Sequence, residues 1–210
     1  MSTPAYDVEK DFAPVAMIGK TSLLLVVHAG LPARTVGELV ALIKANPGKY
    51  SYGTSGVGST PHLAGELFKL RAGNLELLHV PYKGSGPAIT DLLGSQVDAM
   101  VDQLSASIGH IREGRMKVIA VTSKARSTQL PTVPTMDELG VKDFEVGTFT
   151  GIFGPAGMPA PVVAKLAAAL KKALSVESVR EKYRGMGVDV MDMAQPEFAA
   201  YVKADYEKWR

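Results

Sequence analysis

One segment of the chain combines closely spaced glycines with hydroxyl side chains. It reads Tyr50-Ser-Tyr-Gly-Thr-Ser-Gly-Val-Gly-Ser-Thr-Pro-His62. Its first three residues predict the end of a short strand, Gly53–Gly58 predict a loop, and Thr60 and Pro61 predict a helix start with Thr60 as N-cap. Such a loop gathers unpaired backbone N–H groups, hydroxyls and the positive end of a helix dipole. The segment therefore predicts the binding of a carboxylate or phosphate, although a plain strand-to-helix turn would show the same glycines.

Nucleotide binding is not predicted for this loop. A Walker A loop needs a lysine after its last glycine, and the glycine spacing also differs from G-x-G-x-x-G. No G-x-S-x-G motif marks a catalytic serine. A hydrolase or transferase that uses Ser55 or Ser59 with His62 remains an alternative function, and turnover of a substrate would distinguish it from simple binding.

The composition is that of a globular protein with nearly balanced charge. Of the 210 residues, 46% are hydrophobic and 21% are charged. A chain of this length and composition can form the buried core of one large domain or two small ones. The 23 basic and 21 acidic residues leave a net charge of +2, and the basic residues form no stripe interleaved with aromatics. Nucleic acid is therefore not an expected partner.

No metal site and no organic cofactor are expected. The absence of cysteine excludes disulfides and thiolate ligands, and the four histidines show no H-x-x-x-H spacing. The longest apolar run, Leu23–Val27, is too short to cross a bilayer, and the first residues lack the pattern of a secretory signal. As written, the sequence predicts a soluble chain without a signal peptide.

The elements that position the loop follow from an alternation of apolar segments with glycine and proline turns. Between Lys49 and Val121 a strand, a turn and a helix follow one another three times, which predicts a parallel α/β layer. In such a layer the turns at the carboxyl ends of the strands meet at one edge, where ligands bind. We therefore expect three turns to lie side by side: residues 53–60, 81–86 and 102–105.

Local signals also predict helix starts and buried faces. Thr35-Val-Gly-Glu38 and Thr135-x-x-Glu138 are capping boxes, each of which predicts a helix. Leu63, Leu67 and Leu70 predict the buried side of the helix after the loop. Strands are predicted at residues 12–18 and 22–28, the second of them rich in Leu and Val as in strands buried on both faces. Three further helices are predicted at residues 161–174, 177–184 and 196–209.

Six motifs are spread in order over nearly the whole chain. They are Asp11-Phe-Ala-Pro-Val, Ala45-Asn-Pro-Gly-Lys-Tyr-Ser-Tyr-Gly-Thr-Ser-Gly-Val-Gly-Ser, Pro61-His-Leu-Ala-Gly-Glu-Leu-Phe68, His79-Val-Pro-Tyr-Lys-Gly84, Ile119-Ala-Val-Thr-Ser123 and Gly154-Pro-Ala-Gly-Met-Pro159. Together they resemble the Bug-type extracytoplasmic substrate-binding receptors of tripartite tricarboxylate transporters. The resemblance implies an α/β periplasmic binding protein with two lobes, of the type II or Venus flytrap kind. Such a receptor captures a small carboxylate in the cleft between its lobes and has no enzymatic activity.

The same resemblance implies where the protein works and with what. It implies a periplasmic location and, as partners, the membrane components of a tripartite tricarboxylate transporter. We expect the receptor to be a monomer.

The resemblance also divides the chain into lobes. It implies that residues 29–118 form the second α/β lobe and that residues 1–28 and 119–210 form a partial first lobe. Leu23–His28 and Ile119–Ser123 would be the two crossing strands of the hinge. The signal peptide and the opening part of the first lobe in such receptors have no counterpart in this sequence, so we expect an N-terminally truncated chain with an incomplete first lobe. A truncated remnant that binds no ligand is a further alternative.

The loop would supply most of the ligand-binding residues that the resemblance implies. They are Thr54, Ser55, Gly56, Gly58, Ser59 and Thr60. The loop would hold one carboxylate through backbone N–H groups and the hydroxyls of Thr54, Ser55 and Ser59, partly by way of water.

Two further ligand-binding residues are implied outside the loop. Asp102 would accept a hydrogen bond from the ligand or from a bridging water, or would instead cap the helix that follows it. Phe149 and Thr150 correspond to an aromatic pair near the cleft in many members of the family. Thr150 departs from that pattern because it is not aromatic. Lys83 and His62 are weaker candidates, because a solvated lysine and a packed or solvent-facing imidazole are the usual roles.

Overall fold

The structure is a computed structural model that describes residues 5–209, and residues 1–4 and 210 lie outside the described part. Strands and helices alternate along most of the chain, as the sequence predicts for an α/β protein. In chain order the elements are β1 (Phe12–His28), α1 (Val36–Ala45), β2 (Ser51–Thr54), α2 (Thr60–Arg71), β3 (Leu78–Pro81), α3 (Ser85–Leu93), β4 (Ala99–Gln103), α4 (Leu104–Arg112), β5 (Met116–Val121), β6 (Gly147–Pro155), α5 (Ala160–Leu174), α6 (Glu177–Gly185), β7 (Asp189–Val190) and α7 (Gln195–Lys208). Among residues 5–209, none of the helices is both long enough and apolar enough to span a bilayer.

Contacts within the chain divide it into two compact units. The larger unit is Thr21–Thr148, and the smaller unit combines residues 5–20 with residues 149–209. This division and the predicted lobes assign residues 21–28 and 119–148 differently. The lobe boundaries after residues 28 and 118 stay a prediction.

A mixed sheet organises the larger unit, with its strands in the order β3-β2-β4-β1-β5. β2 pairs in parallel with β3 and with β4, as the alternating pattern predicts. β1 lies between β4 and β5 and runs antiparallel to both, so that Leu24 pairs with Asp102 on one side and Val121 on the other. The parallel layer predicted for residues 49–121 is confirmed for β2, β3 and β4. The antiparallel β1 separates β5 from them, and no local pattern links this earlier segment to its later partners.

The central strand β1 is buried on both faces, as its Leu and Val content predicts. Its alternate side chains point to opposite faces of the sheet. One hydrophobic cluster contains Leu23, Leu25 and Val27, and the other contains Leu24 and Val26. All five are at most 2% exposed. The two strands predicted at residues 12–18 and 22–28 are in fact this one continuous strand.

Helix α1 begins where its capping box predicts. The Glu38 N–H donates to the Thr35 hydroxyl, and the Thr35 N–H donates to the Glu38 carboxylate, both at 3.2 Å. The buried face of the helix carries Val36, Leu39 and Ile43. The reciprocal hydrogen bonds thus fix the start of a helix that packs on the sheet.

Replacing Thr35 with alanine should lower the free energy of unfolding by about 1 kcal/mol, because the Glu38 N–H loses its acceptor at the helix start. Chemical denaturation of wild type and Thr35→Ala measures the difference. An unchanged denaturation midpoint would show that the capping box does not stabilise the chain.

The second predicted capping box forms its hydrogen bonds without a helix. The Thr135 N–H donates to Glu138 at 2.7 Å, and the Glu138 N–H donates to the Thr135 hydroxyl at 3.1 Å. Residues 136–140 nevertheless form turns. Gly140 has a φ of 88°, which a continuing right-handed helix cannot contain. The predicted helix at this place is therefore wrong.

Helix α2 buries a different face from the predicted one. Leu70 is 61% exposed, and Leu63 and Leu67 are only half-buried. The buried residues are Pro61, Ala64, Gly65 and Phe68. The ring of Tyr52 lies where a Cβ at Gly65 would be, so small residues face the sheet where leucines were expected.

The smaller unit contains the three predicted C-terminal helices, each within one or two residues of its expected limits. β7 pairs antiparallel with β1 through Gly19 and Val190, and β6 also pairs with β1. A cluster of aromatic rings has neighbouring centroids between 5.4 and 6.4 Å apart. It consists of Phe149, Phe153, Phe198 and Tyr201.

Candidate functional site

The segments at the carboxyl ends of β2, β3 and β4 lie side by side, which confirms the predicted edge. The third is not a turn, because β4 runs directly into α4. The Tyr82 N–H donates to the carbonyl of Thr54 at 3.0 Å, and the Gly84 N–H donates to the carbonyl of Ser55 at 3.1 Å. The hydroxyl of Ser85 in turn donates to Asp102, near the end of β4, at 2.5 Å. These bonds join residues 53–60, 81–86 and 102–105.

A tight turn closes the glycine-rich loop just before α2. The hydroxyl and the N–H of Ser59 both donate to the carbonyl of Gly56, at 2.7 and 3.3 Å. The φ angles of Gly56 (143°) and Gly58 (77°) lie in the region that other residues rarely adopt. The shape of the turn therefore requires glycine at both positions.

The N-cap of α2 is Ser59, and the prediction that it is Thr60 is wrong by one residue. The Ser59 oxygen accepts a hydrogen bond from the His62 N–H at 3.4 Å, and Thr60 is the first helical residue. The same serine closes the turn and caps the helix, because its hydroxyl donates to the Gly56 carbonyl and accepts from the His62 N–H.

Several donors of the loop have no hydrogen-bond partner within residues 5–209. They are the N–H groups of Ser55, Val57 and Thr60 and the hydroxyls of Ser55 and Thr60. All three residues are exposed or half-buried, and Thr60 lies at the positive end of the α2 dipole. Free N–H groups and hydroxyls beside a helix start suit the oxygens of a small anion.

Thr54 supports the loop from within. It is fully buried, and its hydroxyl oxygen lies 2.7 Å from Nε2 of His79 and 3.4 Å from the carbonyl oxygen of Gly56. Burial, and then the nearby His62, lower the pKa of His79. The imidazole of His79 is therefore neutral near pH 7. The hydroxyls of Thr54 and Ser59 thus bond to the protein itself, and their contacts with a ligand stay a prediction.

His62 and His79, which are 17 residues apart in the sequence, are in contact beside the loop. The Gly58 N–H donates to Nδ1 of His62 at 3.2 Å, and the rings of His62 and His79 stack with centroids 4.2 Å apart. The parallel register that pairs Tyr52 with His79 brings the second ring into place. Sequence reasoning missed this pair, because the contact depends on the register of β2 against β3.

Neither serine of the enzyme alternative forms a hydrogen bond with the imidazole of His62. The Ser59 hydroxyl donates to Gly56, and Nδ1 of His62 accepts from the backbone of Gly58. The Ser55 hydroxyl has no partner in the part of the chain that the structure describes. A catalytic serine needs a base within hydrogen-bonding reach, and this loop does not supply one for Ser55 or Ser59.

Asp102 is a fully buried carboxyl group in β4 that joins the start of α3 to α4. Its oxygens accept the hydroxyls of Ser85 (2.5 Å) and Ser107 (2.6 Å). Burial raises its pKa, and the hydrogen bonds from Ser107, Ser85 and the Gln103 N–H offset only part of that rise. Gln103 is the N-cap of α4, so the alternative that Asp102 caps this helix is wrong. Its contact with a ligand stays a prediction.

The raised pKa of Asp102 has a measurable consequence. The folded chain binds this proton more tightly than the unfolded chain, so its free energy of unfolding increases as pH falls through the folded-state pKa. An asparagine at this position would keep the shape of the group but could not titrate. Wild type should therefore gain stability relative to Asp102→Asn between neutral pH and about pH 4. Urea denaturation of both chains at several pH values tests this, and a difference independent of pH would contradict it.

Phe149 and Lys83 lie outside the glycine-rich loop. Phe149 is in the smaller unit, and its ring packs edge-on against Phe198 and Tyr201 at 5.9 and 5.4 Å. Lys83 is exposed on the turn after β3. Their contacts with a ligand stay predictions. Among residues 5–209 no three His, Asp or Glu side chains converge as metal ligands, and the absence of a metal site also stays an expectation.

Comparison with known families and relatives adds to this picture. Residues 2–210 match the model of the family described as the tripartite tricarboxylate transporter family receptor. The chain is similar to protein BugT of Bordetella pertussis, with 34% identity over 100% of this chain and 64% of BugT. The chain spans 61% and 64% of the length of two curated relatives, less than two thirds in each case.

Solved structures are similar over nearly the whole chain. The protein Rpa4515 of Rhodopseudomonas palustris, solved with adipate, matches with a TM-score of 0.91 and 33% identity over 99% of this chain and 69% of that one. MatC of the same species, with bound malate, matches with a TM-score of 0.89 and 31% identity over 100% of this chain and 72% of that one. These matches confirm the predicted α/β fold class of periplasmic binding proteins.

Proposed function

Because this chain belongs to the family of tripartite tricarboxylate transporter receptors, we propose that it binds a small carboxylate at the loop between β2 and α2. One observation carries the proposal. The N–H groups of Ser55, Val57 and Thr60 have no partner within residues 5–209, and they lie in the turn that leads into a helix start. A carboxylate would accept hydrogen bonds from these groups and from the Ser55 hydroxyl, with Gly56 and Gly58 leaving the backbone accessible.

A dicarboxylate is the ligand class that the relatives favour. Two similar proteins of Rhodopseudomonas palustris are described with adipate and malate, and each of these acids carries two carboxylates. One carboxylate of such a ligand would occupy the loop of this chain. The second would set the specificity through groups outside the loop, among which Asp102, by way of a bridging water, is a candidate from the sequence.

The receptor binds its ligand without changing it. Two observations support this part of the proposal: neither Ser55 nor Ser59 has an imidazole partner, and Nδ1 of His62 is already engaged by the Gly58 N–H. Fixed donors without a nucleophile and base can hold an anion but cannot activate an attacking group.

The family also favours a cellular location and a partner for this protein. We place the protein in the periplasm as a monomer that delivers its ligand to the membrane components of a tripartite tricarboxylate transporter. Residues 29–118 would form the lobe that carries the loop. No nucleic acid takes part.

Calorimetry on the purified 210-residue chain tests the proposal. Malate and adipate should bind, whereas the corresponding diamides, which keep the carbon skeleton without the charges, should bind far more weakly. At a ligand concentration about 100 times Kd, binding should add about 2.7 kcal/mol to the free energy of unfolding, which a thermal shift detects.

Each other outcome points to an alternative. Conversion of the acid to a product, followed by NMR of the ligand, would favour the hydrolase or transferase. No binding of any mono- or dicarboxylate by a folded chain would favour the non-binding remnant.

A further inference from the structure

We propose that His62 is the positioning residue of the glycine-rich loop, and that it acts only as a neutral imidazole stacked on His79. This inference rests on the carboxylate-binding function proposed above. It assigns the two histidines a role that does not require contact with a ligand, because His62 bonds to Gly58 and His79 to Thr54 within the protein.

The hydrogen bond between Gly58 and His62 fixes the protonation state of the ring. The Gly58 N–H donates to Nδ1 at 3.2 Å, so Nδ1 must carry a lone pair and the proton must lie on Nε2. Gly58 stands between Val57 and Thr60, two of the residues whose N–H groups are free. The bond thereby holds the part of the loop that carries the free donors.

His79 supports the ring of His62 through the stack. The two ring centroids are 4.2 Å apart with an interplanar angle of 25°, and Nε2 of His79 lies 2.7 Å from the Thr54 oxygen. The Tyr52 ring packs on His79 at 4.9 Å and helps to hold the ring in place.

The charged groups that face the pair come from α2. Glu66 lies one turn after His62 and accepts the Tyr52 hydroxyl at 2.6 Å and the Lys69 ammonium at 3.0 Å. Burial raises the pKa of Glu66, but these hydrogen bonds and the charges of Lys69 and His62 outweigh that rise, so the pKa lies below its usual value and the group is ionised. Because Lys69 and Tyr52 already engage this carboxylate, its attraction for a positive charge on the histidines is reduced.

Protonation would remove the support. A doubly protonated His62 would direct an N–H at the N–H of Gly58, and the bond would be lost. The turn would then lose one of the hydrogen bonds that hold Gly58 in place. The affinity for a carboxylate should therefore fall when His62 takes up a second proton at low pH, although simple charge attraction would make it rise.

NMR of the unliganded, ¹⁵N-labelled chain tests the inference without any ligand. At about pH 8, Nδ1 of His62 should have the chemical shift of an unprotonated acceptor, and the Gly58 amide should shift together with it as pH falls. A protonated Nδ1 at that pH, or a Gly58 amide that does not follow His62, would overturn it. This result does not depend on whether the chain binds carboxylates.

Variants test the consequence for binding, with malate as the probe. His62→Leu removes the acceptor and should weaken binding about tenfold at pH 8. His62→Asn offers an oxygen that can accept from Gly58 but does not titrate, so it should restore most of the affinity and abolish the pH dependence. His110→Asn, which changes a histidine on α4 that does not contact the loop, should leave affinity and pH profile unchanged.

The opposing results are equally specific. Wild-type affinity in His62→Leu, a preserved pH profile in His62→Asn, or tighter binding at low pH in wild type would each overturn the positioning role. Failure of wild type to bind malate at any pH would count against the proposed function, and the NMR titration would still decide the inference on His62.

Discussion

Gly58→Val should weaken the binding of malate by about tenfold or more while the chain remains folded. Gly58 has a φ of 77°, and a β-branched residue in this region costs about 1–3 kcal/mol. The loop can relieve the strain only by changing its backbone angles. Such a change moves the free N–H groups of Val57 and Thr60 and breaks the bond to His62. Calorimetry at a fixed pH measures the loss of affinity.

Gly140→Val is the matched control for backbone strain. Gly140 also lies in the larger unit, has a φ of 88°, and has nothing within 4 Å of an added Cβ. The Gly140→Val chain should therefore lose about as much stability as the Gly58→Val chain but keep the wild-type affinity for malate. If both variants bind as wild type does, the geometry of the glycine-rich loop is not what binds the anion.

Gly65→Ala should lower the free energy of unfolding by about 1–3 kcal/mol. An added Cβ would lie 2.8 Å from Cζ and 2.9 Å from the hydroxyl oxygen of Tyr52. The Tyr52 ring is 1% exposed and its hydroxyl donates to Glu66 at 2.6 Å, so the ring cannot move aside freely. Displacement of Tyr52 would also disturb the end of β2, from which the loop departs. Urea denaturation measures the loss.

Gly109→Ala is the matched control, because it is the same substitution in a helix at a position where an added Cβ has room. Gly109 lies inside α4, and an added Cβ there meets nothing within 4 Å. Alanine should stabilise this helix by about 0.5–1 kcal/mol relative to glycine. Equal effects of the two substitutions would contradict the close contact between Gly65 and Tyr52.

The sequence predicts those parts of the site that depend on neighbouring residues. The glycines between Gly53 and Gly58 predict the loop, because their conformational freedom is a local property. The Thr35 capping box predicts the start of α1, since its two hydrogen bonds span only three residues. The side-by-side arrangement of residues 53–60, 81–86 and 102–105 also follows from the alternation of strands and helices, because parallel strands end at one edge.

Other features depend on pairings between distant residues. β1 enters the sheet between β4 and β5 because its two apolar faces fill the core, which no local pattern shows. The buried face of α2 follows the position of the Tyr52 ring over Gly65, and the leucine spacing alone therefore predicts the wrong face. The stack of His62 on His79 needs the register of β2 against β3.

The burial of candidate side chains is equally hidden from the sequence. Thr54 and Asp102 were candidates because their side chains can bond to a ligand, and both are fully buried with partners in the protein. The free donors of the loop are found only when every bond of the turn is known. Val57, whose side chain suggests no chemistry, contributes a free N–H for this reason.

Titration of malate into the ¹⁵N-labelled chain at neutral pH is the most direct measurement of the proposed binding. The amide signals of Ser55, Val57 and Thr60 should shift with a single saturating dependence on malate, and the Gly140 amide should not. Saturable shifts confined to other residues, or no shifts at all in the three loop amides, would show that these free N–H groups do not bind the carboxylate.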